Sequence, residues 1–174
     1  LCNDPYEGGS HLPDLTVIYP VLAPDNDRPA LFVANRAHHA DVGGIAPGSM
    51  SVLATTLGQE GMVISPFQLA CHGRHNLTEL KQWTMGLPYP PRNWNEIEMD
   101  LGAQVAACRR GAELLTEYAQ SIGWREIQRY AQFLMNAGRQ RASQFFQFGL
   151  QQLLSSRLSS PTEAKTQHPE MRFT

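Results

Sequence analysis

The sequence predicts an α+β fold, in which a β-hairpin and loop-rich N-terminal half is followed by a long helical hairpin. Two short apolar runs lie close together before residue 36, whereas an apolar repeat with helical spacing begins only after Asn95. A stretch rich in glycine and proline separates these two regions. The 174 residues are enough for one domain with a substantial core, and we expect them to be a fragment of a larger domain.

The composition argues against nucleic-acid and membrane partners. The net charge is -2, and the 14 Lys and Arg residues are scattered along the chain. No apolar run reaches the length of about eighteen residues that a membrane-spanning helix needs. Three widely separated cysteines, Cys2, Cys71 and Cys108, form none of the close pairs that are typical of zinc ribbons or redox motifs. We therefore expect a reduced, cytoplasmic setting and small-molecule or protein partners.

The predicted hairpin comes from two apolar runs joined by a polar turn. Residues 15–22, LTVIYPVL, are apolar and β-branched and predict a strand, in which Pro20 marks an edge position, a bulge or an early end. Residues 23–29 consist of turn-forming types. Residues 30–35, ALFVAN, predict a second strand. An antiparallel pairing of the two strands is the simplest arrangement.

Two polar clusters flank this hairpin. His11 and Asp14 come just before the first strand, and His38, His39 and Asp41 come just after the second. In an antiparallel pair, the start of the first strand lies beside the end of the second. The spacing therefore predicts that both clusters meet at one end of the hairpin.

The repeated spacing His-x-x-Asp, in His11 with Asp14 and in His38 with Asp41, predicts a metal site. Divalent Mn, Fe or Zn accepts imidazole nitrogen and carboxylate oxygen together, and would polarise a carbonyl or lower the pKa of a bound water. The alternative is that each pair forms a local turn, with the aspartates capping backbone amides.

Further residues near these clusters have both a functional and a structural interpretation. Asp4 and the Gly8-Gly9 pair could add a carboxylate or a cradle of backbone amides, or could simply form a turn. Arg36 could clamp a substrate carboxylate through its planar guanidinium, or could pair with Asp41. His75 is assigned, with His72, to a surface loop.

The sequence contains neither a G-x-S-x-G nucleophile motif nor a G-x-x-x-x-G-K phosphate loop. Any reaction that consumes ATP would therefore need another domain. Cys108 falls on the apolar side of a predicted helix, which favours a buried structural role over a catalytic one.

The positions of the prolines and the spacing of the apolar residues predict the secondary structure of the central and C-terminal regions. We expect a loop with short strands over residues 42–64, a buried strand over 61–69 interrupted by Pro66, and an extended linker over 83–94 that cannot be helical. Apolar residues then recur every three or four positions from Ile97 to Ile122, which predicts a long amphipathic helix that ends at Gly123.

A second helical pattern runs from Ile127 to Leu154, and two helices separated by one glycine predict an antiparallel helical hairpin. Residues 155–174 are polar, contain two prolines and lack periodicity, so we expect a disordered tail.

Several segments resemble one known family, the hydantoinase B/5-oxoprolinase family, which comprises the B-type part of 5-oxoprolinases, N-methylhydantoinases and acetone-type carboxylases. The resemblance covers residues 1–144, the early region of the B-type domain, and leaves 145–174 as a divergent extension. Four segments carry it, in the expected order: NDPYEGGSHLPD, FVANRAHHADVGGIAPGSM, EGMVISPFQL and DLGAQVAACRRGAELL.

The resemblance implies an amidohydrolase acting on cyclic amides such as 5-oxoproline or a hydantoin. An A-type domain or subunit would use ATP to activate the substrate, and the B-type part would complete the reaction at divalent Mn, Zn or Fe. An oligomer that includes the A-type partner is expected. Two alternatives remain: a catalytically silent fragment that serves as a structural or interaction piece, and a subunit of an acetone-type carboxylase.

The family's site residues can be carried over onto matching positions. The metal ligands implied are His11, Asp14 and His38, with Asp41 as a further ligand or a hydrogen-bonded neighbour. The residues assigned to substrate binding are Asp4, Arg36 and His39. No catalytic residue is assigned.

Overall fold

The computed structural model describes residues 1–24, 27–71 and 74–159. The chain divides into two compact units, Leu1–Gln128 and a second that begins at Arg129. The two small sheets and the long helices confirm the α+β class. His72 and residues 160–174 of the predicted tail lie outside the described residues, whereas residues 155–159 of that predicted tail belong to a helix, so their expected disorder is wrong. The elements are β1 Asp14–Leu22, β2 Pro29–His38, α1 Leu57–Glu60, β3 Ala70–Cys71, β4 Arg74–His75, α2 Leu77–Met85, α3 Trp94–Ile122 and α4 Trp124–Ser159.

The predicted β-hairpin is confirmed. Strands β1 and β2 pair antiparallel, with Asp14 opposite His38. The register shifts between Val21 and Leu22, one residue beyond Pro20, which agrees with the predicted bulge near this proline. Strand β2 continues to His38, three residues beyond the predicted end.

Strand alternation gives the hairpin a buried and an exposed face. Leu15, Val17 and Val21 are buried, and α3 packs against both strands of the hairpin. Asp14, Thr16 and Ile18 alternate with these residues on the outer face. The core beneath the hairpin consists of Leu12, Leu15, Val17, Val42, Met62, Ile64, Leu69, Leu80, Trp94, Ile97, Leu101 and Cys108.

Asn3, whose role the sequence did not reveal, pins the first residues to the centre of the fold. Its fully buried side chain donates to the carbonyls of Leu12 and Met62, at 2.7 and 2.9 Å, and accepts from the amide of Ile64 at 2.6 Å. A buried amide group must be fully hydrogen-bonded, and these three bonds meet that need. They also hold together three segments of the chain, around Asn3, Leu12 and Met62.

The strand predicted for residues 61–69 is wrong. Met62, Ile64 and Leu69 are buried, but no ladder forms, because the backbone here bonds to Asn3 and to the carbonyl of Val42. Residues 42–64, all of which are described, contain the short helix α1 and no strand, so the expected short strands are also wrong.

Helix α2 was not predicted. It begins after Asn76 and includes residues 83–85, so the first three residues of the predicted extended linker are helical, as is its last residue, Trp94, which begins α3. The prolines restrict the backbone only from Leu87 onward, where the chain is indeed non-helical as far as Asn93. His75 is exposed in β4.

Both long helices predicted from periodicity are present. The side chain of Asn93 accepts a hydrogen bond from the amide of Glu96 and caps the start of α3. Gly123, with φ of 89°, ends the helix as expected. Cys108 is buried in the core, where burial raises the pKa of its thiol against an opposing hydrogen bond from the backbone of Asn35. The antiparallel packing of the two helices stays a prediction.

Candidate metal centre

Three side chains meet at the open end of the hairpin. Asp14 is the first residue of β1, His38 is the last of β2, and His11 lies in the turn that precedes Asp14. One Oδ of Asp14 lies 3.1 Å from Nδ1 of His38, and the other lies 2.9 Å from Nδ1 of His11. The two imidazole centroids are 5.3 Å apart. One ligand atom from each residue lies within 4.8 Å of the other two.

The donor set fits a divalent metal. Nδ1 of His11 is buried and, among the described residues, has no hydrogen-bond partner, although Oδ2 of Asp14 is only 2.9 Å away. The contact is close enough for an ion pair, but its angle is not that of a hydrogen bond. A buried ring nitrogen that makes no hydrogen bond costs free energy. A cation bound to both this nitrogen and the neighbouring carboxylate oxygen would remove that cost. Two imidazoles and one carboxylate suit Mn, Fe or Zn.

The carboxyl of Asp14 is held in its ionised form, with a pKa below its ordinary value. Partial burial is the largest single influence on this pKa and acts in the opposite direction, because it disfavours charge. Hydrogen bonds from His38 and Ser10, with the charges of His11 and His38, outweigh it. Asp14 therefore presents a carboxylate at neutral pH, as metal binding requires.

Asp41 lies outside this cluster. One carboxylate oxygen accepts from the amide of Gly43 at 2.8 Å, and the other accepts from that of Gly48 at 3.3 Å. Nη1 of Arg92 donates to both oxygens, at 3.0 and 2.8 Å. These contacts match the turn-capping alternative, and the ion-pair partner is Arg92, not Arg36. No sequence pattern indicates this pair, since Arg92 lies 51 residues further on.

His39 points into the core. Its side chain is 1% exposed, and Nε2 lies 2.9 Å from Oε1 of Gln104 on α3. The amide nitrogen of Gln104 donates to the carbonyl of Leu15 and to Oδ1 of Asn35. The Gln104 oxygen must therefore accept, which places the His39 proton on Nε2. His39 therefore joins the end of the hairpin to α3 and is buried in the core, where it cannot contact a bound substrate at the surface.

Asp4 and Arg36, the other two residues assigned to substrate, differ in their placement. Asp4 is nearly buried, where it accepts from the amide of Tyr6 at 2.9 Å and from the hydroxyl of Ser65 at 3.0 Å. These bonds stabilise a turn. Arg36 is exposed on the outer face of β2, two residues before His38, and so lies beside the cluster.

Ser10 also belongs to this region, although the sequence did not single it out. Its hydroxyl lies 3.1 Å from Oδ2 of Asp14 and 3.2 Å from Nη1 of Arg36. The position directly before His11 was the only available signal.

Comparison with known proteins identifies the family. A family model, hydantoinase B/oxoprolinase, matches residues 1–159. The chain therefore belongs to the hydantoinase B/oxoprolinase family, and the resemblance carried by its motifs is confirmed.

Curated relatives from several organisms bear names of this family. The chain is 38% identical over 141 residues to 5-oxoprolinase 1 of Arabidopsis thaliana, a match that covers 76% of this chain and 11% of the plant protein. It is 38% identical over 130 residues to 5-oxoprolinase of Dictyostelium discoideum, covering 75% and 10%. It is 29% identical over 137 residues to a protein of a Pseudomonas species named as a D-/L-hydantoinase component, covering 77% and 22%.

The chain thus spans about a tenth to a fifth of the length of these relatives. No solved structure matches it. Within the described residues, no helix combines the length and the apolar character needed to cross a bilayer.

Proposed function

We propose that this chain is the metal-binding portion of the B-type part of an ATP-dependent 5-oxoprolinase or hydantoinase, which opens a cyclic amide. The observation that carries the proposal is the cluster of His11, Asp14 and His38 in a chain whose relatives are named as 5-oxoprolinases and a D-/L-hydantoinase. We assign the use of ATP to an A-type domain or subunit, and we place the protein in the cytoplasm.

In this proposal His11, Asp14 and His38 hold a divalent Mn, Zn or Fe ion. The bound ion supplies Lewis-acid polarisation of a carbonyl or a bound water of lowered pKa. Asp14 contributes the negative charge of the site, and its two oxygens orient the two imidazoles. The antiparallel ladder places Asp14 opposite His38, so the protein itself sets the spacing of these two groups.

Metal content tests the proposal. The wild-type chain, purified after growth with Mn, Zn and Fe, should carry a stoichiometric divalent metal by elemental analysis. The His11→Ala and His38→Ala variants should lose it, because each removes one of three donors. The His75→Ala variant, which alters an exposed histidine outside the cluster, is the matched control and should retain it. Equal metal content in all four proteins would overturn the assignment.

A second candidate function is a structural or interaction role without catalysis, and the surface of α4 favours it. Large apolar side chains from Tyr130 to Leu153 are exposed along this helix. Exposed apolar surface of this kind marks an interaction site. ATP-dependent turnover of 5-oxoproline when an A-type partner is added would rule out the silent role. Ketone carboxylation by the same mixture would instead favour the carboxylase alternative.

A further inference from the structure

Arg36 and Ser10 form a chain of hydrogen bonds that leads to Asp14 of the cluster. Nη1 of Arg36 lies 3.2 Å from the hydroxyl oxygen of Ser10, which lies 3.1 Å from Oδ2 of Asp14. Nε of Arg36 donates to the hydroxyl of Thr16 at 2.9 Å. All four side chains therefore form one network on the outer face of the hairpin.

The chemistry of the groups fixes the direction of this chain. A guanidinium has donors only, so the bond from Arg36 must use a lone pair of the Ser10 oxygen. The Ser10 hydroxyl therefore donates its proton to the carboxylate of Asp14. An ionised carboxylate has no proton of its own and can only accept hydrogen bonds. The oxygen that receives it, Oδ2, is the one that faces His11. The other oxygen, Oδ1, faces His38.

The far end of the chain is fixed by the sheet. Thr16 lies directly opposite Arg36 in the ladder, one same-face step along the strands from the Asp14–His38 pair. The backbone of Thr16 also pairs with Cys2 through two hydrogen bonds, at 3.0 and 2.9 Å. Thr16 therefore lies on a strand, β1, that has backbone partners on both sides. This strand is a stable support for the side chain of Arg36.

We propose that Ser10 and Arg36 are positioning residues of the metal site, an inference that rests on the proposed function. Neither residue binds the metal. Ser10 sets the rotation of the Asp14 carboxylate, so that each oxygen faces one imidazole, and Arg36 sets the orientation of the Ser10 hydroxyl. Outer groups that orient metal ligands in this way contribute about ten- to a hundredfold in metal affinity.

The experiment measures the affinity of the purified chain for Mn²⁺ and Zn²⁺ by calorimetric titration. We expect Ser10→Ala to weaken binding by about tenfold, and Ser10→Thr to restore it, because threonine keeps the hydroxyl. Arg36→Gln should also weaken binding by about tenfold. Ser121→Ala is the matched control, since it removes an exposed hydroxyl that donates to the carbonyl of Tyr118 within its own helix.

The Mn²⁺ paramagnetic resonance spectrum gives a second readout, which a merely structural role would not change. Circular dichroism establishes that each variant is folded before titration. Wild-type affinity and spectrum in Ser10→Ala, together with lost binding in His38→Ala, would overturn the positioning role and leave the metal site standing. A wild-type chain that binds neither metal would overturn both proposals.

Discussion

Asp14 receives contacts from His11, His38 and Ser10, and together these hold its pKa below the ordinary value despite the opposing effect of partial burial. Ionised Asp14 is therefore more favourable in the folded chain than in the unfolded chain. This contribution to stability is fully present above the ordinary carboxyl pKa, near 4. It is lost as the pH falls through the lower pKa of the folded state.

A prediction at the residue scale follows for the metal-free protein. The free energy of unfolding should be lower in Asp14→Asn than in the wild type by about 1 kcal/mol at pH 7, because charge-assisted hydrogen bonds are weakened. The difference should shrink as the pH is lowered below about 4. Urea unfolding with a chelator present, at pH 7, 5 and 3, measures it. A difference that grows on acidification would contradict the assigned sign.

Single residues also show why part of the site was predictable. His38 and Asp14 were predicted to meet because they lie at the two ends of the sequence segment that forms the hairpin. His39 turns inward because β2 continues to His38 instead of ending at residue 35, so that strand alternation directs the next side chain to the core. The partner of Asp41 is Arg92, and no local pattern connects residues so far apart.

At the scale of elements, the loop after β2 depends on tight backbone contacts. Gly44 has a φ of +93°, and a Cβ placed there would lie 2.6 Å from the carbonyl oxygen of Glu60. Arg92 also donates to the carbonyl of Gly44 at 2.8 Å. Gly44 and the long side chain of Arg92 therefore both help to fix the loop that follows β2.

We expect Gly44→Ala to lower the free energy of unfolding by about 2 kcal/mol or more, because both the backbone angle and the contact become unfavourable. Gly138→Ala is the matched substitution, since no described atom other than those of the adjacent residues and the nearby helix backbone lies within 4 Å of its Cβ position in α4. It should leave stability unchanged or raise it by up to about 1 kcal/mol, owing to the better helix propensity of alanine. Thermal unfolding compares the two. Equal losses in both variants would contradict the role of Gly44.

The elements predicted correctly are those with a strong period in the sequence. The hairpin strands and α3 bury a face of regular spacing, and Gly123 ends the helix as its position indicated. The buried run around Ile64 looked like a strand because it is apolar, but burial alone does not provide a neighbouring strand. Its backbone partner is the side chain of Asn3, 61 residues away, a contact that no local pattern indicates.

At the scale of the whole molecule, the second compact unit differs from the first. The first unit contains a buried core, whereas α4 exposes large apolar side chains, among them Phe145 and Phe146, each 73% exposed. The family model includes this helix, since it matches as far as residue 159. The sequence predicted both the family and the apolar stripe of α4.

The exposed phenylalanines predict association of the isolated chain. Light scattering over increasing concentration should show oligomers for the wild type, because exposed apolar surface favours association. The Phe145→Ser/Phe146→Ser double variant should shift the population toward monomer. The Gln144→Ser/Gln147→Ser variant, with polar changes in the same turns, is the control and should behave as the wild type does. A monomeric wild type at all concentrations would contradict the expectation.

The local origin of the cluster also sets an order of assembly. Asp14 and His38 are 24 residues apart in the sequence, whereas Gln104 must reach Leu15 across 89 residues. Closing the shorter loop costs less chain entropy, so the hairpin can form before α3 docks. Two residues of the proposed metal site, Asp14 and His38, lie on the hairpin itself, so they would face each other before α3 docks.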